Sequence, residues 1–232
     1  DGFADIASYE RFSASPQLFF EPGEGAEIRL GAGYLAEDRD GGWTGGIWPA
    51  FGPPPYTESI ESRRWDGSGQ ASFELAEGRG LAVKFAGAEL RRDAMYGTAP
   101  FNGTQRFGYA DAQFVQPFGG GNTLLAGAAF SFEDFEDRTA AVPESRSYTL
   151  RTPGVFTQLE AKLSEEWTAL AGVRADFQDL YGTFVTPRAS LKYAPTPALT
   201  LRLGGGGGFK SPTIFVEEAE EIIEHQHLTI AM

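Results

Sequence analysis

The sequence predicts an all-β fold, an antiparallel up-and-down meander of about ten strands that forms part of a transmembrane β-barrel and is open rather than closed. Apolar and polar residues alternate with a period of two through most of the 232 residues. Tight turns join alternate strands, whereas almost all the longer loops lie at the opposite end of the sheet. Most of the predicted strands, at about 11 to 17 residues, are also longer than the ~5–6 residues usual in globular proteins.

The alternation of apolar and polar residues locates each strand along the chain. In the second strand, Ile28, Leu30 and Tyr34 share one face, while Glu27 and Arg29 lie on the other. Because successive side chains of a strand point to opposite faces, such a segment is an amphipathic strand. After the unassigned residues 1–10, the predicted strands are Arg11–Glu21, Ala26–Glu37, Ile60–Leu75, Leu81–Met95, Gln105–Pro117, Thr123–Phe135, Ser147–Leu163, Trp167–Gln178, Pro187–Tyr193 and Leu199–Leu203.

The connections are unequal at the two ends of this meander. Loops are predicted from Asp38 to about Ser59, from Tyr96 to Thr104 and from Glu136 to about Arg146. At the other end the connections are short, and several contain proline or glycine, which favour turns. This asymmetry is typical of transmembrane β-barrels, whose periplasmic turns are short and whose extracellular loops are longer.

The composition excludes several kinds of partner and site. The formal net charge of −13 repels nucleic acid, so no nucleic-acid partner is expected. The chain has no cysteine, so it forms neither a disulfide nor a thiolate metal site. No apolar run approaches the ~20 residues of a transmembrane helix. No catalytic residue, cofactor or metal is predicted, since the only histidines, His225 and His227, lie in a tail without a clear pattern.

Two other interpretations of the strand pattern stay open. A passive porin or adhesin barrel would have similar strands without energy coupling, and strand number would distinguish it, because porins close at about 16–18 strands. A soluble β-sandwich binding module would instead bury its apolar face against a second sheet, and it would stay in the aqueous phase without detergent.

Short segments within Thr152–Pro212 carry a resemblance to a known family. They are Pro153–Phe156, Ala171–Asp176, Tyr181–Arg188 and Gly208–Pro212. In this order they resemble the barrel of TonB-dependent outer-membrane receptors. Similarity in Glu37–Gly42, Tyr56–Ile60 and Met95–Thr98 extends the resemblance over about Ala26 to Glu221.

The resemblance implies a receptor of the bacterial outer membrane with a barrel of about 22 strands and an N-terminal plug. Such receptors import iron–siderophore complexes, cobalamin or similar nutrients, and the inner-membrane TonB complex supplies the energy through a TonB box. Residues 1–232 are expected to be one partial barrel domain, without the plug, the TonB box or the closing C-terminal strands. The expected partners are a ferric siderophore or cobalamin-like ligand, TonB through the plug of the parent receptor, and outer-membrane lipid.

Aromatic side chains in the predicted loops are candidates for ligand binding. An exposed aromatic ring can stack on a planar catecholate or on a corrin ring. Alternatively, these rings pack the loops against themselves or lie at the lipid interface. The candidates are Trp43, Trp48, Phe51 and Tyr56 in the first loop and Tyr96 and Phe101 in the second.

Four arginines are candidates for positive charge on the lumen wall, namely Arg63, Arg92, Arg174 and Arg188. A guanidinium that faces the lumen can pair with an anionic ferric complex. Alternatively, it pairs with Asp or Glu across the lumen or holds the plug. Because adjacent residues of a strand point to opposite faces, only one of Arg63 and Arg64 can face the lumen, and the same holds for Arg91 and Arg92.

Overall fold

In a computed structural model, the described residues 3–43, 56–139 and 146–211 form one antiparallel β-sheet, with residues 3–6 described as backbone only. The predicted all-β antiparallel meander is therefore confirmed. A short 3₁₀ turn, Ala76–Gly78, joins two consecutive strands. The strands are β1 (Phe3–Ala14), β2 (Gln17–Gly23), β3 (Ala26–Trp43), β4 (Thr57–Glu74), β5 (Gly80–Tyr96), β6 (Ala99–Phe118), β7 (Asn122–Asp137), β8 (Tyr148–Lys162), β9 (Trp167–Gln178), β10 (Gly182–Thr196) and β11 (Leu199–Gly206).

The strands lie in the sheet in the order in which they follow along the chain. From β3 to β11 each strand pairs with the next one, and β1 and β2 both pair with β3. Within the described residues, β1 and β11 do not pair with each other, so the sheet is open as predicted. Trp48, Phe51, His225 and His227 lie outside the described residues, as does the tail from residue 212.

The predicted first strand, Arg11–Glu21, is wrong in its bounds. It is replaced by β1 and β2, which occupy one line of the sheet and keep the same register against β3. The break between them falls at Pro16, which has no backbone N–H to donate to the ladder. The Pro16 carbonyl oxygen still accepts a hydrogen bond from Ala32 N at 3.1 Å.

The strands also continue further than predicted at the end of the sheet that carries the longer connections, here called the loop end. β3 reaches Trp43 and β4 begins at Thr57, both inside the predicted first loop. The second predicted loop is wrong, because Gly97–Thr98 alone form the turn between β5 and β6. Here the outer face is charged and apolar side chains such as Ile60 and Phe135 lie on the inner face, so the alternation reverses its sides while the backbone ladder continues.

One proline also departs from its predicted position. The sequence places Pro187 at the first residue of a strand, whereas β10 already begins at Gly182. Pro187 lies opposite Val173 in the ladder, and its carbonyl oxygen accepts a hydrogen bond from Gly207 N at 2.9 Å. The proline therefore lies within the strand and acts there as an acceptor.

The pairing register sorts the side chains onto two faces. One of them, here called the outer face, carries a continuous apolar band, and no second sheet covers it among the described residues. The soluble sandwich is therefore not what the structure shows. No helix in the described part of the chain is long and apolar enough to span a bilayer. Exposed members of the band are Leu30, Trp65, Phe73, Phe85, Phe114, Phe130, Val155, Val173 and Leu191.

Toward the loop end the outer face changes from apolar to charged. On β6 the change falls between Gly108 and Arg106, and on β7 it falls between Phe132 and Asp134. A tilted strand needs only about 9–11 residues to cross a bilayer, and β6 has 20. The additional length of the strands therefore extends beyond the apolar band, and it carries ion pairs on its outer surface.

Candidate functional site on the inner face

The candidate site lies on the face opposite the apolar band, here called the inner face. Two of its predicted aromatic residues, Trp43 and Tyr56, flank residues 44–55 at the loop end. Trp43 N donates a hydrogen bond to Tyr56 O at 2.8 Å, which joins the two ends of this connection. Tyr56 is 39% exposed and lies beside the turn at Gly97. Tyr56 is thus placed where an exposed ring can meet a ligand.

The next two aromatic candidates lie in strands rather than in a loop. Tyr96 ends β5 and Phe101 lies near the start of β6, so their predicted placement in a loop is wrong. Phe101 is only 4% exposed, and its ring centroid lies 6.3 Å from that of Phe135. As placed, Phe101 supports the packing at the loop end. This inner cluster consists of Ile60, Ala94, Phe101 and Phe135, with Tyr96 and Tyr148 packed against it.

Arg138 and Thr139, the first residues of the connection between β7 and β8, continue the pairing of β7 with the start of β6. Arg138 N donates to Asn102 O at 2.8 Å, and Asn102 N donates to Thr139 Oγ1 at 2.8 Å. The Arg138 guanidinium also pairs with Asp93 at 2.8 Å. These contacts hold the residues that follow β7 against the loop-end parts of β6 and β5.

Asp137 fixes the start of this connection. It ends β7, beyond the apolar band, and its side chain is 3% exposed. Burial raises the pKa of Asp137, but hydrogen bonds from Arg146 and from Thr139 outweigh burial and hold the pKa below its usual value. Arg146 pairs with Asp137 at 2.6 Å, and its guanidinium lies over the Phe101 ring at 5.2 Å.

The four predicted arginines do not share one face. Arg63 lies opposite Ala36 on the outer face and pairs with Asp38 at 2.8 Å. Its predicted lumen-facing position is corrected by this register, since it is Arg64 that points to the inner face. The other three candidates, Arg92, Arg174 and Arg188, all lie on the inner face.

Arg174 is the centre of a polar network on this face. It donates to both oxygens of Asp176, with Nε at 2.9 Å from Oδ1 and 2.7 Å from Oδ2. Its guanidinium lies 5.6 Å from the ring centroid of Phe156. Tyr109 lies close enough to both Arg174 and Asp111 to interact with them electrostatically. The network thus links β6 to β9 across the two strands between them.

Small residues make this long reach possible. Ala129 on β7 and Gly154 on β8 lie between Asp111 and Asp176 in the pairing rows. A Cβ on Gly154 would lie 2.4 Å from Asp176 Oδ1, so only glycine leaves space for the carboxylate. Sequence reasoning did not single out Tyr109, Asp111 or Asp176 as site residues. The sequence feature that could have identified them is their shared position on the polar side of alternating strands.

The inner face can therefore bind polar groups through positioned donors and acceptors. Arg188 donates to Gln158, and Arg92 lies opposite Ser62 nearer the loop end. One carboxylate oxygen, Asp111 Oδ1, is buried and has no hydrogen-bond partner among the described residues. No group of three or more potential metal ligands is found in the part of the chain that the structure describes.

Comparison with known sequences points to one family. The family model described as TonB dependent receptor-like, beta-barrel, matches residues 7–217. No curated protein matches the sequence.

Solved structures show the same fold at low sequence identity. A variant of the ferric enterobactin receptor PfeA of Pseudomonas aeruginosa has a TM-score of 0.71 and 15% identity over 89% of this chain and 34% of its own. The ferripyoverdine receptor of the P. aeruginosa outer membrane has a TM-score of 0.59 and 14% identity over 81% of this chain and 34% of its own. The siderophore receptor PirA of P. aeruginosa has a TM-score of 0.58 and 12% identity over 92% and 42%.

The chain spans about a third of the length of the first two receptors. Its apolar outer face, open meander and long strands agree with a section of an outer-membrane barrel. The family match covers most of the chain and fits the segments that first suggested the resemblance. This chain belongs to the TonB-dependent receptor family, as part of a β-barrel of the bacterial outer membrane.

Proposed function

We propose that the receptor containing this chain imports a ferric siderophore or a cobalamin-like ligand by TonB-dependent transport. The observation that carries the proposal is the family match over residues 7–217. The structural neighbours named as receptors for ferric enterobactin and ferripyoverdine favour a ferric siderophore. We propose a transporter and not an enzyme.

In this proposal the ligand is first captured at the loop end. Trp43 and Tyr56 stand at the base of the connection formed by residues 44–55, with Trp48 and Phe51 inside it. Tyr96, which ends β5 nearby, stays a candidate ligand contact. Phe101 is better suited to hold the inner cluster than to meet a ligand, because it is buried.

The ligand then passes along the inner face of the barrel. Arg92, Arg174 and Arg188 lie on this face and give it positive charge in a chain of net charge −13. Arg174 is held by Asp176, whereas Arg188 contacts only the neutral amide of Gln158 among its described side-chain hydrogen bonds. Arg188 therefore has more of its charge available for an anionic complex. Energy would come from TonB acting through the plug of the whole receptor.

Uptake by cells that carry or lack the full-length gene tests the proposal. Cells would be supplied with radiolabelled ferric enterobactin, ferripyoverdine or cobalamin, with and without a functional TonB. We expect gene-dependent and TonB-dependent accumulation of at least one probe. Gene-dependent uptake that persists without TonB would instead indicate a passive barrel, and would overturn the proposal.

A pair of arginine variants tests the inner face. Arg188→Gln removes a charge from the inner face, while Arg63→Gln removes one from the outer face. We expect the first variant to weaken uptake and the second to leave it near the wild-type level at equal receptor abundance. Equal uptake by both variants would contradict a role for Arg188 in ligand passage.

A further inference from the structure

We propose that a pocket on the inner face, between β2 and β5, binds an oxyanion, namely a carboxylate or phosphate group. This inference does not depend on which nutrient the receptor imports. The pocket has a volume of about 380 Å³. It lies toward one edge of the described sheet, on β2 and the three strands next to it, and away from the aromatic candidates at the loop end.

The lining of this pocket is rich in hydrogen-bond donors and contains no carboxylate. Arg29 and Lys84 supply two positive charges, and Gln17, Gln70 and Ser68 supply neutral polar groups. The protein as a whole has 32 acidic residues and 19 basic ones, so a basic lining without acids departs from the average surface. Such a set of donors is complementary to the oxygens of a carboxylate or phosphate.

Lys84 is the side chain that most needs an anionic partner. No Asp or Glu oxygen lies within 4.0 Å of its ammonium group among the described residues, and it lines the pocket. Asp111 lies directly opposite Lys84 in the pairing register. Asp111 instead interacts with Tyr109, and its Oδ1 atom is buried without a partner in the described part of the chain. The two opposite charges thus remain unpaired although they are neighbours.

Arg29 forms the other side of the pocket. Its Nε donates to Glu27 at 2.5 Å, and its guanidinium lies 5.8 Å from the Phe19 ring centroid. One exposed carboxylate therefore offsets part of its charge, but the guanidinium keeps further N–H donors. Glycine at position 31 leaves the pocket floor without a side chain beyond the backbone. An oxyanion between Arg29 and Lys84 would meet donors from both sides.

The oxyanion has two possible sources with the same chemistry. It can belong to a free small molecule, or to an Asp or Glu side chain elsewhere in the full-length protein. Lysine acylation followed by peptide mass spectrometry distinguishes them, because it follows Lys84 separately from the other lysines of this chain, Lys162, Lys192 and Lys210. Lys192 is the matched control, since it also lies on the inner face and has no carboxylate within 4.0 Å among the described residues.

The full-length protein in detergent would be acylated at constant ionic strength in chloride, inorganic phosphate or citrate. For a free anion, we expect phosphate or citrate to protect Lys84 saturably, with no protection of Lys192. Arg29→Gln should weaken that protection about tenfold, because it removes a charge-assisted donor. Asp111→Asn should strengthen it, because the competing negative charge is lost. Heat-modifiability in gels would verify that each variant is folded.

Zero-length carbodiimide cross-linking tests the second source, an Asp or Glu side chain elsewhere in the full-length protein. A cross-link from Lys84 to an Asp or Glu other than Asp111 would show that a protein carboxylate occupies the pocket, and would also support the site. A cross-link to Asp111 alone would overturn the proposal, because Lys84 would then be paired with its own neighbour. It would also be overturned if Lys84 reacted like Lys192 under all conditions and formed no cross-link.

Discussion

Arg174 and Asp176 form an ion pair on the inner face of a sheet that no second sheet covers among the described residues. Asp176 is almost fully buried, with a side chain 4% exposed, whereas Arg174 remains 33% exposed. The carboxylate therefore depends on the arginine for most of the hydrogen bonds that replace water. If either partner is removed, the other stays in surroundings that are arranged for the pair. Stability falls more when Arg174 is removed, because the buried Asp176 carboxylate then has no charged donor.

Arg174→Met is expected to destabilise the full-length protein by about 2 kcal/mol, less than the ~3–5 kcal/mol of a fully buried pair because Arg174 is partly exposed. The measurement is urea-induced unfolding in detergent, followed by tryptophan fluorescence. Arg188→Met is the matched control, since Arg188 lies on the same face but contacts the amide of Gln158. Equal losses in the two variants would show that the buried carboxylate is unimportant.

Asp137 gives the loop end a pH dependence. Its pKa in the folded protein lies below the ordinary value of about 3.8, so the ionised form stabilises the fold. This stabilisation is fully present above the unfolded-state pKa and is lost as the pH falls through the folded-state pKa. We expect pepsin cleavage near residues 138–147 of the wild type, measured relative to Asp137→Asn at the same pH, to rise as the pH falls below about 3.8.

Asp137→Asn provides the control for this pH effect. The variant removes the carboxylate at every pH, so its cleavage should follow only the pH dependence of pepsin itself. The same pH dependence in the wild type and the variant would assign the effect to another group.

At the scale of whole strands, glycine–phenylalanine pairs fit adjacent strands together. Gly69 lies opposite Phe85, Gly108 opposite Phe132 and Gly127 opposite Phe156. In each pair the phenylalanine ring occupies the space that a Cβ on the glycine would fill, at distances of 2.3, 2.1 and 2.4 Å. Cross-strand pairs of this kind contribute to sheet stability through side-chain packing.

Gly127→Ala is expected to destabilise the protein by about 1–3 kcal/mol, the usual effect of overpacking. A Cβ there would lie 2.6 Å from the Ala112 carbonyl oxygen as well as against the Phe156 ring, and the backbone cannot easily move away. Gly67→Ala is the matched control, because its nearest contact is an ordinary 3.8 Å. The midpoint of urea unfolding measures both. A Gly67 variant as unstable as the Gly127 variant would contradict the packing explanation.

At the scale of the whole molecule, the assignment of the two faces can be tested directly. Phe85 lies in the apolar band and is 52% exposed, whereas Gln113 lies on the inner face. Phe85→Arg should destabilise the membrane-inserted protein by about 2–4 kcal/mol, the range for arginine near the bilayer midplane. Gln113→Arg should be tolerated. The measurement is unfolding from lipid vesicles in urea, and a larger loss for the Gln113 variant would reverse the two faces.

Much of the architecture could be predicted from residue patterns. Ile28, Leu30 and Tyr34 were expected on one face of a strand, and the register places them there. The open antiparallel meander and the family resemblance were also predicted correctly. The strand ends at the loop end could not be predicted, because hydrogen bonding between backbones needs no alternation of side chains. Tyr96 and Phe101 were therefore assigned to a loop that is only a tight turn.

The sequence by itself determined the fold class, the family and the amphipathic character of the strands, because side-chain polarity with a period of two is a local property. Only the tertiary structure decided which side chains meet. Arg63 and Arg174 are both arginines within predicted alternating strands, yet the register places them on opposite faces of the sheet. Asp111 and Asp176 lie in one row of the sheet, three strands apart, and only the small residues Ala129 and Gly154 stand between them. Periodicity assigns residues to faces within one strand, whereas register and packing between strands determine the site.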